Sequence, residues 1–217
     1  MFLPVSHHIR NNTFWLSSER CIYWEQGEAL IVSDLHIGKT GHFRKAGIAV
    51  PQAVLKHDLQ RLFNHIQHYR PKELIIVGDL FHSRENLEMD LFIRWRNDLP
   101  GVQFTLVKGN HDILPESWYG NAGISTVSGI HTTGGLAFTH DPVDSVTTSS
   151  HYTFTGHLHP GVRISGMGRQ TLSFPCYYFG EQYAVLPAFS QFTGLAHIEA
   201  RPNDKLFAIV NQSVIAM

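Results

Sequence analysis

The chain repeats one construction: a short apolar run, rich in β-branched residues, that stops at a side chain able to hold a metal or a proton. Leu30-Ile31-Val32-Ser33 leads into Asp34-Leu35-His36, and Ile75-Ile76-Val77-Gly78 leads into Asp79. Phe104-Thr105-Leu106-Val107 leads into Gly109-Asn110-His111-Asp112, and Leu136-Ala137-Phe138 is followed by His140. Tyr152-Thr153-Phe154-Thr155 leads into Gly156-His157-Leu158-His159. Runs this short, bounded by Gly and polar residues, read as buried strands that end in loops. Gly78 permits a turn that other residues resist, so that Asp79 projects its carboxylate from a strand end. The fold must therefore collect several strand ends in one place, and the order of the runs predicts one sheet edge.

The segments between the runs predict the layers. Pro51 suits a first helical position. Val54, Leu55, Leu59, Leu62, Phe63 and Ile66 then form an amphipathic stripe ending near Tyr69, with Pro71 beyond it. A second helix carries Leu87, Leu91, Phe92 and Trp95 on one face and stops before Pro100-Gly101. Phe14-Trp15-Leu16 and Cys21-Ile22-Tyr23-Trp24 read as a hairpin-like entry. Strands alternating with helices predict parallel pairing, with ligands gathered outside the carboxyl ends of the strands. Beyond about residue 120 the pattern turns to short β-rich runs, Thr171 to Phe174, Tyr183 to Leu186 and Leu206 to Val210. These predict a second, mostly antiparallel sheet stacked on the first, with the aromatic run Phe174 to Phe179 as strand core. Residues 1–217 fit a single domain.

Among the 217 residues, 43% are hydrophobic and 16% charged, which excludes a disordered chain. A formal charge of −1 supplies no global cationic field, so contact with nucleic acid would need a local patch. Cys21 and Cys176 lack CxxC spacing and read as buried free thiols of a reducing compartment, with a single disulfide as the alternative. Met1 to Arg10 carries no export signal, and no apolar run approaches the ~20 residues needed to cross a bilayer. The expectation is a cytoplasmic protein with no membrane association.

The outlier is the count of 15 histidines, and their positions give it meaning. In Asp34-x-His36 and His157-x-His159 the i, i+2 spacing turns both side chains to one side of an extended backbone. Asp79 can bridge two cations ~3.5–4 Å apart, while Asn110 offers a carbonyl oxygen and His140 an imidazole. A nitrogen and oxygen donor set without Cys favours Mn, Fe or Zn, alone or as a mixed pair, over a structural zinc site. Such a pair would activate a bridging hydroxide for in-line attack on phosphorus and neutralise the phosphoryl oxygens. His111, next to Asn110, is placed to protonate the leaving oxygen, with Asp112 expected to orient it by a hydrogen bond. Singly these signals are ordinary: an Asp after a strand usually caps a turn, and His140 alone reads as a core histidine. Their joint occurrence at successive strand ends points to a metal site.

As an ordered set, Asp34-x-His36, Gly78-Asp79, Gly109-Asn110-His111-Asp112, His140 and Gly156-His157-x-His159 resemble the calcineurin-like metallophosphoesterase signature. The resemblance implies an α/β fold, a four-layer αββα sandwich of two stacked mixed sheets flanked by helices, with a dinuclear centre. It places Asp34, His36, Asp79 and His159 on one metal, and Asp79, Asn110, His140 and His157 on the other, with His111 as the catalytic histidine. The chain departs from the common pattern at His82, where much of the superfamily has a second Asp, and at Ser83, where Arg is frequent.

A narrower likeness rests on Asp34-Leu35-His36-Ile37-Gly38-Lys39, Phe43-Arg44-Lys45-Ala46-Gly47, Gly78-Asp79-Leu80-Phe81-His82, Gly156-His157-Leu158-His159-Pro160 and Leu186-Pro187-Ala188-Phe189. These resemble the DNA ligase-associated branch of DNA-damage-response endonucleases or phosphodiesterases. That branch implies two divalent ions, Mn2+ above Fe or Zn, and DNA as substrate. It also implies association with an ATP-dependent DNA ligase and a helicase-like protein. Lys39, Arg44 and Lys45 would then grip phosphates flanking the scissile bond, and His82 would contact substrate. The alternatives are a phosphatase or pyrophosphatase acting on a small molecule or nucleotide, and a non-catalytic metal-bound scaffold of a repair complex. Lipid-precursor hydrolases usually carry Arg where this chain has His111, and scaffolds tend to lose ligands that this chain keeps.

Overall fold

A computed structural model of the chain describes residues 3–39, 53–82, 87–147, 150–166 and 170–217. The first sheet contains β1 (Val5–Ile9), β2 (Asn12–Leu16), β3 (Ile22–Trp24), β4 (Ala29–Val32), β5 (Glu73–Val77), β6 (Gln103–Val107) and β7 (Ile124–Val127), paired in chain order. Pairing is antiparallel from β1 to β4 and parallel from β4 to β7. Helices α1 (Ala53–Tyr69) and α2 (Leu87–Asn97) make the parallel crossovers, and α3 (Glu116–Asn121) precedes β7.

The second sheet contains β8 (His131–Thr133), β9 (Leu136–Phe138), β10 (Tyr152–Thr155), β11 (Pro160–Ser165), β12 (Thr171–Phe179), β13 (Tyr183–Val185), β14 (Ala196–His197), β15 (Lys205–Val210) and β16 (Ser213–Ala216). Its order is β14-β11-β12-β13-β10-β9-β8, with β15 and β16 added beside β12. Most pairings are antiparallel, but β9, β10 and β13 run parallel, as do β11 and β14. A 3-10 turn, Pro142–Thr147, packs against β10 and β13.

Alternation along the strands explains why both sheets are buried. Leu30, Val32, Leu74, Ile76, Phe104 and Leu106 face the helices and meet Leu55, Leu59, Leu62 and Ile66 of α1. Their neighbours Ala29, Ile31, Ile75, Val77 and Val107 face the second sheet and pack on Phe138, Phe154, Tyr177 and Phe179. Both faces of β4 and β5 are therefore covered, which is why these runs are apolar throughout. Cys176 and Tyr178, alternating with Tyr177 and Phe179, lie in a third cluster with Val162, Val185 and Leu206. Cys21 and Cys176 are free and buried, and burial pushes both thiols up to about 12.

Two expectations are corrected. The stripe predicted for α2 is rotated: Met89 and Phe92 are buried, while Leu91 is 40% exposed. The ligand-bearing strand ends also do not share one sheet edge. β4, β5 and β6 belong to the first sheet, β9 and β10 to the second, and the stacking of the sheets brings their carboxyl ends together.

Candidate metal centre

Strand pairing continues beyond the strands and fixes the ligand loops. The Asp34 N–H donates to Gly78 O at 3.1 Å and the His36 N–H to Asp79 O at 2.9 Å. Further on, the Ile37 N–H donates to Leu80 O and the His82 N–H to Ile37 O, each at 2.9 Å. The chain turns sharply within this ladder. Asp34, His36, Asp79, His157 and His159 have φ of 53°, 49°, 50°, 67° and 49°, in the left-handed region that non-glycine residues rarely enter. Each such residue costs on the order of 1–3 kcal/mol and persists only where its surroundings over-determine it.

Donor atoms of Asp34, His36 and His159 lie within 4.8 Å of one another. Asp34 is fully buried. Its Oδ2 accepts the Ser33 hydroxyl and, at 3.1 Å, the His157 N–H. Its Oδ1 is buried without a hydrogen bond and stands 3.4 Å from His159 Nε2. The Nε2 atoms of His36 and His159 face each other at 3.2 Å. Burial pushes the His36 ring down to about 3 despite the nearby Asp34 carboxylate, so the ring is neutral.

Asp79, His140 and His157 form a second group with the same spacing. His140 Nδ1 lies 3.2 Å from Val77 O, which assigns the proton to Nδ1 and leaves a lone pair on Nε2. That lone pair confronts three others: Asn110 Oδ1 and His157 Nδ1, each at 3.2 Å, and Asp79 Oδ2 at 3.4 Å. With His157 Nδ1 also unprotonated, four acceptors converge on one point, an arrangement that a cation satisfies. Burial opposes charge on His140, yet Asp79 and Asp34 together raise it to about 9. Burial likewise opposes charge on Asp79, but hydrogen bonding and attraction from His140 lower it to about 2. The position calls for positive charge, whether from a proton or a divalent ion. The orphaned Asp34 oxygen and the converging lone pairs fit two divalent ions held by nitrogen and oxygen donors.

Two glycines make this convergence possible. At Gly78, φ is 78° and an added Cβ would lie 1.9 Å from His140 Nδ1. At Gly156, a Cβ would lie 2.1 Å from Ser33 Oγ and 2.7 Å from Asp34 Oδ2. Ser33 and Gly156 stand in the sequence motifs only as flanking residues, without the packing role the structure gives them. Their only signal is small size beside a ligand.

The other expected residues fall around these groups. The side chain of His111 is 38% exposed, with its Nε2 4.0 Å from Asp79 Oδ2, and its backbone N–H donates to Asp79 Oδ1 at 3.0 Å. Its ring stacks on His82 at 4.7 Å between centroids, and both rings stand edge-on to His36. Half-buried Lys39 is lowered by burial and raised by the Asp34 and Asp79 carboxylates, with burial prevailing. Arg44 and Lys45 lie outside the described residues. Asp112 does not hydrogen-bond the His111 ring as expected. Its Oδ1 accepts the Phe81 N–H at 3.1 Å and its Oδ2 the Gly109 N–H at 2.9 Å, tying the β5 and β6 loops together. Burial raises this carboxyl to about 6.

The chain matches the family described as calcineurin-like phosphoesterase over residues 28–201 and belongs to it. Pseudomonas putida nuclease MPE superposes on the chain with a TM-score of 0.81 at 27% identity, covering 100% of each chain. Yfce, a phosphoesterase from E. coli, is 15% identical with a TM-score of 0.46, covering 87% of this chain and 96% of its own. No curated protein sequence matches the chain. Among the described residues no helix is long and apolar enough to cross a membrane.

Proposed function

We propose that the protein is a metal-dependent phosphodiesterase that cleaves nucleic acid, as an endonuclease acting on DNA in repair. The observation that carries this reading is the exposed His111 ring beside two donor groups built for divalent ions. The full-length likeness to a nuclease supports the substrate class.

Asp34, His36 and His159 would hold one ion, and Asn110, His140 and His157 the other, with Asp79 between them. Two bound ions, with Mn2+ preferred, would supply charge neutralisation at phosphorus and an activated water. The chain's own residues do the rest. His111 protonates the leaving oxygen, at a ring held by stacking on His82 and by its backbone bond to Asp79. Lys39 adds positive charge beside the carboxylates, and Arg44 and Lys45 serve as phosphate contacts. An ATP-dependent DNA ligase and a helicase-like protein are the partners proposed, on the motif resemblance to the DNA ligase-associated branch alone.

The test compares Mn2+-loaded protein with His111→Ala on single-stranded DNA, bis(p-nitrophenyl) phosphate and p-nitrophenyl phosphate. Diester cleavage is expected, with turnover falling by about 10²–10⁴ in the variant, the usual contribution of a general acid. Turnover of the monoester alone would rule out the nuclease reading. Inertness toward all three would rule out an enzyme acting on these phosphoesters.

A further inference from the structure

The Leu186-Pro187-Ala188-Phe189 motif has no part in the chemistry above, yet it crosses between the sheets directly behind Asp34. The Leu186 N–H donates to Thr155 O of β10 at 2.8 Å. The Phe189 N–H then donates to Ser33 O at 2.7 Å, and the Ser190 N–H to Asp34 O at 3.3 Å. One strap thus joins the end of β10 to the end of β4.

The carbonyls of the strap are held from the opposite side by two arginines. The Arg20 guanidinium donates to Ala188 O at 3.3 Å and Ser190 O at 2.8 Å. Arg61 donates to Phe189 O at 3.2 Å and lies 4.4 Å over the Phe189 ring. Arg61 is itself buried and fixed by Asp58 at 2.6 Å, by the Glu19 carboxylate and by Glu19 O at 2.6 Å. Phe189 and Ser190 therefore touch the Ser33-Asp34 backbone through their N–H groups and the cationic brace through their carbonyls. Asp34 needs such support, because its left-handed backbone and its unbonded Oδ1 are both costly unless enforced.

We infer that Arg20 is a positioning residue: through the Ala188–Ser190 strap it holds Asp34, and so sets the affinity of the Asp34–His36–His159 group for its ion. The inference rests on the reading that this group binds a divalent metal. Arg20 is a cleaner probe than Arg61, whose removal would strand two carboxylates.

The test is Mn2+ titration of metal-free protein, followed by calorimetry and by the electron paramagnetic resonance of free Mn2+. It uses wild type, Arg20→Met and Arg20→Lys, each also in a His157→Ala background that cripples the other group. In Arg20→Met one ion is expected to weaken on the order of tenfold, the low end for outer partners of metal ligands. The other ion should stay within about twofold of wild type, since its ligands do not touch the strap. The same loss should appear in the His157→Ala background, where the Asp34 group is the one left intact. Arg20→Lys, which can still reach one carbonyl, should recover part of the affinity. Unchanged affinities, or equal loss at both sites with a matching drop in the melting temperature of the metal-free protein, would overturn the inference alone. Wild-type protein that binds no Mn2+ would overturn the metal reading beneath it as well.

Discussion

Gly156→Ala adds one carbon where the structure has no room for it. The new Cβ would lie 2.1 Å from Ser33 Oγ, 2.7 Å from Asp34 Oδ2 and 2.8 Å from Val77 O, all inside the 3.0 Å that real Cβ atoms respect. None of the three can retreat cheaply. Ser33 Oγ is bonded to Asp34, the Asp34 oxygen is a buried charge, and Val77 O belongs to the β5 backbone. The 155–157 backbone must move instead, at an overpacking cost of about 1–3 kcal/mol. That shift also breaks the His157 N–H bond to Asp34 Oδ2, a bond to a charged group worth roughly 1.5–3 kcal/mol. The expected loss in urea unfolding of the metal-free protein is therefore about 2.5–6 kcal/mol. Because His157 and His159 follow directly and serve different donor groups, both Mn2+ affinities should fall by about 10–100-fold in calorimetry. A variant within about 0.5 kcal/mol of wild type that still bound two ions normally would refute the close-approach argument.

Asp79→Asn should weaken both ions in metal analysis and abolish diester turnover, whereas His36→Ala should mainly affect one; two tightly held ions in Asp79→Asn would contradict the shared-ligand assignment. Burial depresses His65, bonded to Ser17 Oγ, from 6.5 to about 4. Its neutral form is favoured in the fold, so its contribution is present above pH 6.5 and lost as pH falls through 4. Wild type should therefore lose about 3 kcal/mol more than His65→Gln between those limits in denaturant melts, and parallel pH profiles would count against it.

Much of the centre was legible because its signals are local. A β-branched run closed by Gly and Asp announces both a strand and its end, as at Ile75 to Asp79, and all the expected ligands of the described loops lie around the two donor groups. What escaped was set by distant partners. Asp112 follows His111 in sequence, but its carboxylate is claimed by the N–H groups of Phe81 and Gly109. Asp58, Arg61 and His65 break the polarity expected of α1: Asp58 and Arg61 build the brace beneath the strap, and His65 bonds Ser17. On α2, the choice between Leu91 and Met89 as the buried neighbour of Phe92 depends on a rotation of the helix that periodicity alone does not specify. The division of the strand ends between two sheets was hidden for a related reason, since parallel runs read alike whichever sheet receives them.

The left-handed backbone at Asp34, His36, Asp79, His157 and His159 has a consequence for how such a chain can drift. Asp, Asn, His and Gly are the residues that tolerate this conformation best, and the first three are also the ones that bind metal. The backbone therefore screens out most replacements at these positions before the reaction exerts any selection. A lineage that abandoned the chemistry would still need the turns, and would settle on Asn or Gly there far more readily than on Ala or Val. The imprint of the centre should outlive its activity, written as a run of small polar residues at the ends of buried strands.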